Sequence, residues 1–166
     1  FPYFFFLEED LLYLDLKPSN VMRTSNGKVV LVDFGLSKHF NDNGKPETST
    51  SIGLGTPGYA PIEQVNYIPD GSFPATLDIY ALGATLFKLL TGTTPPNASD
   101  LLDGFPDSDF ASRGVSQSTL SFLKKAMAPS KNKRYQTMRE VIVALDNLKV
   151  INNTSNQNLI GKLNIS

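Results

Sequence analysis

Cysteine is absent from the 166 residues, so neither a disulfide nor a cysteine-ligated zinc can organise the fold, which suits a reducing compartment. Histidine occurs once, and His39 reads as an ordinary loop histidine rather than a metal ligand. Neither sign of charge is in excess: 15 Lys and Arg against 16 Asp and Glu leave a net charge of −1, which argues against nucleic acid as the main partner. No apolar run approaches the roughly 18 residues of a membrane span. The opening stretch Phe1-Pro2-Tyr3-Phe4-Phe5-Phe6-Leu7 is dense in aromatics but lacks the basic leader and small-residue cleavage site of a secretory signal. What remains is a chain of one-domain length whose apolar share of 40% is enough for a core.

Against that plain background one stretch is unusually rich in chemistry. Leu14-Asp15-Leu16-Lys17-Pro18-Ser19-Asn20 is followed by Asp33-Phe34-Gly35, placing an acid, an ammonium and an amide within six residues and a second acid 18 residues after the first. Phosphoryl transfer needs a carboxylate to orient the attacking hydroxyl and accept its proton, a cation against the moving phosphoryl group, and oxygen ligands for magnesium. Asp15, Lys17, and the pair Asn20 and Asp33 are the residue types for those tasks. Asp15 and Lys17, two apart, project to the same side of an extended loop. Pro18 fixes one φ and turns Lys17 away from helix. Val21-Met22, the turn Ser25-Asn26-Gly27 and Val29 to Val32 predict a small hairpin that brings Asp33 back beside Asn20.

These segments resemble the catalytic loop and D-F-G segment of eukaryotic-type protein kinases, with Lys-Pro-Ser-Asn worded as in serine/threonine kinases. The resemblance implies Asp15 as catalytic aspartate, Lys17 near the transferred phosphate, and Asn20 and Asp33 as magnesium ligands, with ATP and Mg²⁺ as cofactors. Where the family has His-Arg before the aspartate, this chain has Tyr13-Leu14. Tyr13 is expected to replace part of the histidine's packing against the D-F-G segment. Leu14 offers no guanidinium to a phosphorylated activation loop, so activation by loop phosphorylation is not expected.

The same resemblance continues in order along the chain. The polar stretch from Ser37 to Ser51 reads as a mobile loop and by position is the activation loop, with Thr48, Ser49, Thr50 and Ser51 as potential phosphate acceptors. Gly55-Thr56-Pro57-Gly58-Tyr59-Ala60-Pro61-Ile62-Glu63 is similar to the substrate-holding segment, which implies Thr56 bonding toward Asp15 and Lys17, and Glu63 as the glutamate of the A-P-E motif. Residues 75–91 are apolar nearly all round and predict a buried helix ending at Gly92. Asp78 inside it needs donors, which the family supplies from the backbone of the catalytic loop. A helix over Gln117 to Ala128 presents Leu120, Leu123 and Met127 on one face, and a capping box at Thr137-Met138-Arg139-Glu140 opens another, with Val141, Ile142, Leu145 and Leu148 toward the core. Arg134 stands where the family places the partner of Glu63.

The expected fold is therefore mainly α with a small β-hairpin: a protein-kinase-like C-lobe over residues 11–150, an unmatched apolar lead-in over 1–10 with Glu8 to Leu12 as the remnant of a helix end, and a flexible polar tail over 151–166. No glycine-rich loop or strand lysine precedes the catalytic loop, so the N-lobe is expected to be absent from this chain. The expected function is that of a cytoplasmic serine/threonine kinase catalytic-domain fragment. It would need an N-lobe in cis or in trans to phosphorylate serine or threonine of a protein substrate, without nucleic acid or a membrane span. The alternatives are an inactive pseudokinase-like scaffold or half of a split kinase.

Overall fold

The structure, a computed structural model, describes residues 11–35, 38–39, 55–66 and 74–149. The lead-in 1–10, the hydroxyls of Thr48 to Ser51 and the tail 151–166 lie outside the described residues.

Two short antiparallel ribbons carry the chemistry-bearing stretch. Strand β1 (Leu11–Leu12) pairs with β4 (Lys38–His39), and β2 (Val21–Arg23) pairs with β3 (Val29–Leu31) in the register Val21 to Leu31, Met22 to Val30 and Arg23 to Val29. The second ribbon is the predicted hairpin, closed by Gly27 at φ +84°, a conformation that costs glycine little. Two expectations fail at the first ribbon. Leu11 and Leu12 are strand rather than the end of a helix, and His39 with Lys38 lies in a strand rather than a loop, because each two-residue segment takes its conformation from cross-strand pairing and not from a local period.

The helices supply the platform: α1 (Ile62–Val65), α2 (Thr76–Thr91), α3 (Ser108–Ala111), α4 (Gln117–Ala126) and α5 (138–149). Helix α2 is buried along most of its length, as a helix without a polar face must be, and it stops at Gly92, whose φ of +72° provides the left-handed C-terminal residue. Gly83 lets α4 approach it closely. A Cβ at that position would meet Met127 Cγ at 2.8 Å and Ala126 Cβ at 2.9 Å, so the roughly 1 kcal/mol that glycine costs a helix is offset by packing that alanine would disrupt.

Helix α4 starts at Ser116, whose hydroxyl accepts from the Thr119 N–H at 3.2 Å, and it buries Leu120 and Leu123 with Met127 just beyond its end. Phe87, Phe105 and Phe110 close the side of the core next to α3. In α5, Thr137 caps the Glu140 N–H as expected, and Val141 is buried with Leu145 and Leu148 partly so. Ile142 is exposed, contrary to expectation, because one step of 100° takes it off the stripe formed by 141, 145 and 148. No helix of the described residues is long and apolar enough to cross a membrane.

Candidate active site

The catalytic-loop stretch is held by its backbone. Leu14 and Asp33 have left-handed φ values of +66° and +65°, strained for residues with a Cβ by about 1–3 kcal/mol each. Such a conformation persists only when neighbours hold it. The buried carboxylate of Asp78 in α2 does so from below, accepting from the Tyr13 N–H at 2.7 Å and the Leu14 N–H at 2.8 Å. From the other side, the buried amide of Gln64 donates to the Leu14 carbonyl at 2.7 Å.

Asp15 then faces a set of donors. Thr56 Oγ1 donates to Asp15 Oδ1 at 2.6 Å, and Lys17 Nζ lies 2.7 Å from Asp15 Oδ2 while donating to Thr56 Oγ1 at 2.9 Å. Asn20 Nδ2 donates to the Asp15 carbonyl at 3.0 Å and to Oδ2 at 3.2 Å, which turns the amide oxygen of Asn20 away from Asp15. The backbone at Pro18–Asn20 is a single 3₁₀ turn with extended Lys17 before it, as the proline dictates.

The hairpin brings the second acid near. Val32 N–H donates to the Asn20 carbonyl at 2.9 Å, and Asp33 follows immediately, exposed, its Oδ1 accepting from the Gly35 N–H at 3.3 Å. Tyr13 joins the two halves: its hydroxyl donates to the Val32 carbonyl and its ring meets Phe34 edge-to-face at 5.2 Å. Burial pushes the Tyr13 phenol up, and the negative charges of Asp33 and Asp15 push it further. A tyrosine thus makes the contacts with the D-F-G segment expected of it.

The substrate-like segment is anchored separately. Arg134 and Glu63 pair bidentately at 2.5 and 3.1 Å. Every site residue expected from sequence therefore falls in one of two connected clusters, Asp15, Lys17, Asn20 and Thr56 with Asp33 nearby, or Glu63 and Arg134, with Asp78 beneath the first. Gln64 was not anticipated. Its signal was slight: a polar residue between Glu63 and Val65 on a short helix with a core-facing side.

Burial pushes the Asp78 carboxyl up to about 6, against the two backbone donations that pull it down. Its folded value is raised above the usual 3.8, so the stability it contributes is fully present below pH 3.8 and is lost as pH rises through about 6. Asp78→Asn should flatten this trend in urea midpoints between pH 4 and 7. Asp78→Ala should leave the Tyr13 and Leu14 amides unpaired, at about 1–3 kcal/mol each, and speed amide exchange in residues 13–20. Unchanged exchange there would contradict the anchoring role.

The protein kinase domain family matches residues 3–145. The chain belongs to that family. It is 36% identical over 138 residues to serine/threonine-protein kinase F of Synechocystis, covering 81% of this chain and 27% of that protein. It is also 32% identical over 150 residues to a probable serine/threonine-protein kinase PknB of Corynebacterium glutamicum, covering 83% of this chain and 23% of the relative. A solved structure described as the apo form of PpkA-294 superposes with a TM-score of 0.59 at 30% identity, covering 81% of this chain and 46% of that one. This kinase chain thus spans about a quarter of the length of the curated relatives it matches, and those relatives are serine/threonine kinases. The expectations of a mainly helical kinase-like fold and of serine/threonine kinase kinship are met.

Proposed function

We propose that this chain carries the phosphoryl-transfer end of a serine/threonine protein kinase, with Asp15 accepting the proton of the substrate hydroxyl. The observation that carries the reading is the Lys17–Thr56–Asp15–Asn20 array, which fixes one carboxylate beside one ammonium at the end of a strained loop. Lys17 neutralises charge on the moving phosphoryl group, and Thr56 holds both residues to the segment that seats the peptide.

Asn20 and Asp33 fit magnesium: the Asn20 amide nitrogen donates to Asp15, its oxygen accepts a long bond of 3.4 Å from the Ser19 hydroxyl that an ion can displace, and Asp33 is an exposed carboxylate next to Val32, whose N–H is bonded to the Asn20 carbonyl. Two protein oxygens leave most of the coordination of such an ion to phosphates and water. When bound with ATP, that ion would neutralise the β- and γ-phosphate oxygens.

A second lobe is also part of the proposal. Met22 and Val30 face each other across the hairpin and are 55% and 37% exposed, an apolar pair turned away from the core beside Asn20. Val21 and Leu31, one step along, pack against the core instead. A lobe bearing a glycine-rich loop and a strand lysine, in cis or in trans, would cover that pair and hold the nucleotide. ATP as donor and a cysteine-free chain both suit the cytoplasm.

The test supplies labelled ATP, magnesium and a serine- or threonine-containing peptide. The 166-residue chain alone should transfer no label, and the domain completed by such a lobe should transfer it to the peptide hydroxyl, with Asp33→Ala abolishing transfer. Transfer by the chain alone would refute the need for a second lobe. A completed domain that is inert with Asp15 intact would refute the kinase reading in favour of a scaffold.

A further inference from the structure

We propose that Gln64 is a positioning residue for Asp15: its buried amide clamps the Leu14 carbonyl and keeps the catalytic loop and the substrate segment in register without a phosphate between them. This rests on the kinase reading above and adds to it a residue and a mode of regulation.

The strain at Leu14 is the starting point. Its φ of +66° relaxes unless both ends of the residue are held, and Asp78 holds only the N–H end. The carbonyl end belongs to the peptide unit that leads into Asp15. That unit is planar, so the direction of the Leu14 carbonyl fixes the direction in which Asp15 leaves it. Gln64 Nε2 is the group that sets this direction, at 2.7 Å.

Gln64 is itself fixed. It is 1% exposed, and the residue before it, Glu63, is tied to Arg134. Gly55 makes room for it: a Cβ there would meet Ala60 Cβ at 2.6 Å and Gln64 Nε2 at 2.8 Å. The amide therefore sits between the residue preceding Asp15 and the residue preceding Thr56, and the 2.6 Å bond from Thr56 to Asp15 lies one step beyond both. A single side chain ties the two segments whose alignment the Asp15 array requires.

The tie is also neutral. Leu14 is apolar and buried, so its side chain gives a loop phosphate no cation to pair with. An amide donating to a carbonyl needs no modification to form.

The experiment uses the completed domain of the preceding section and, in parallel, the chain itself. Gln64→Met keeps the side-chain length and removes the donor. It should lower kcat at least tenfold, leave the KM for ATP within twofold, and speed amide exchange in residues 13–20 while α2 and α4 keep their protection. Wild-type protein treated with phosphatase should keep its transfer rate. Loss of transfer on phosphatase treatment would overturn the proposal, as would wild-type kcat and wild-type exchange in Gln64→Met. If wild-type completed domain transfers nothing, the kinase reading fails, and exchange measured on the chain still decides the clamp. If circular dichroism shows Gln64→Met unfolded, Gln64→Asn, one methylene short of Leu14, is read in the same way, and wild-type exchange in it overturns the clamp.

Discussion

Arg134→Met is expected to lower the unfolding free energy by about 3–5 kcal/mol, a large part of the roughly 5–15 kcal/mol that holds a domain of this size together. The Arg134 side chain is 0% exposed and all its nitrogens are engaged. Nε donates to the Ala128 carbonyl at 2.7 Å, Nη1 to Glu63 and to the Thr76 carbonyl at 3.1 Å, and Nη2 to Glu63 and to the Pro129 carbonyl at 3.0 Å. The guanidinium also lies 5.0 Å from the centre of the Tyr80 ring. Methionine fills the volume but leaves three carbonyls and a carboxylate without that donor. Glu63→Gln should cost less, about 1–3 kcal/mol, because Glu63 is 26% exposed and the arginine keeps its three carbonyl partners.

Glu63→Leu combined with Arg134→Met should cost less than the sum of the single changes, since breaking a buried pair is dearer than replacing it. Urea unfolding of the four proteins gives the cycle. Additive losses, or an Arg134→Met protein within 1 kcal/mol of wild type, would show that the pair does not fasten residues 55–66 to the helical core.

How much of this was readable in advance depends on what each residue answers to. The contacts among Asp15, Lys17 and Asn20 are legible because an acid, an ammonium and an amide within six residues are more polar than a turn requires, and the hairpin that follows is legible because Ser25-Asn26-Gly27 is turn chemistry between apolar runs. Helix α2 is legible from composition alone, and a carboxylate inside it poses a question that only backbone donors answer.

Leu11–Leu12 reads as a helix end because two residues carry no period, and the residues they pair with, His39 and Lys38, are 28 and 26 positions further on. Ile142 was misread because one hydrophobic beside a stripe resembles one on it. Gln64 was invisible for a different reason. Its importance comes from the carbonyl of a strained residue fifty positions earlier, and nothing in the side chains of either residue announces that bond.

Asp15→Asn separates chemistry from architecture at the same site. Asparagine keeps the size of the side chain and an oxygen to accept from Thr56, and Asn20 still donates to the main-chain carbonyl of residue 15. Lost are the ion pair with Lys17 and the ability to take a proton. The ion pair is partly exposed, with side chains 25% and 12% accessible, so its loss should cost no more than about 1 kcal/mol of stability. Losing the proton acceptor should cost the completed domain about 10²–10⁴-fold in kcat. On the proposed roles, in which Asp15 takes the proton of the hydroxyl and Asp33 ligates magnesium, the KM for ATP should stay within a few-fold in Asp15→Asn, whereas Asp33→Ala should weaken magnesium-ATP binding as well. Steady-state kinetics with both substrates varied, alongside a thermal melt, reads all of these quantities. A kcat within threefold of wild type would remove Asp15 from the chemistry. A collapse of stability with Asp15→Asn would instead assign it to the framework, where Asp78 already stands.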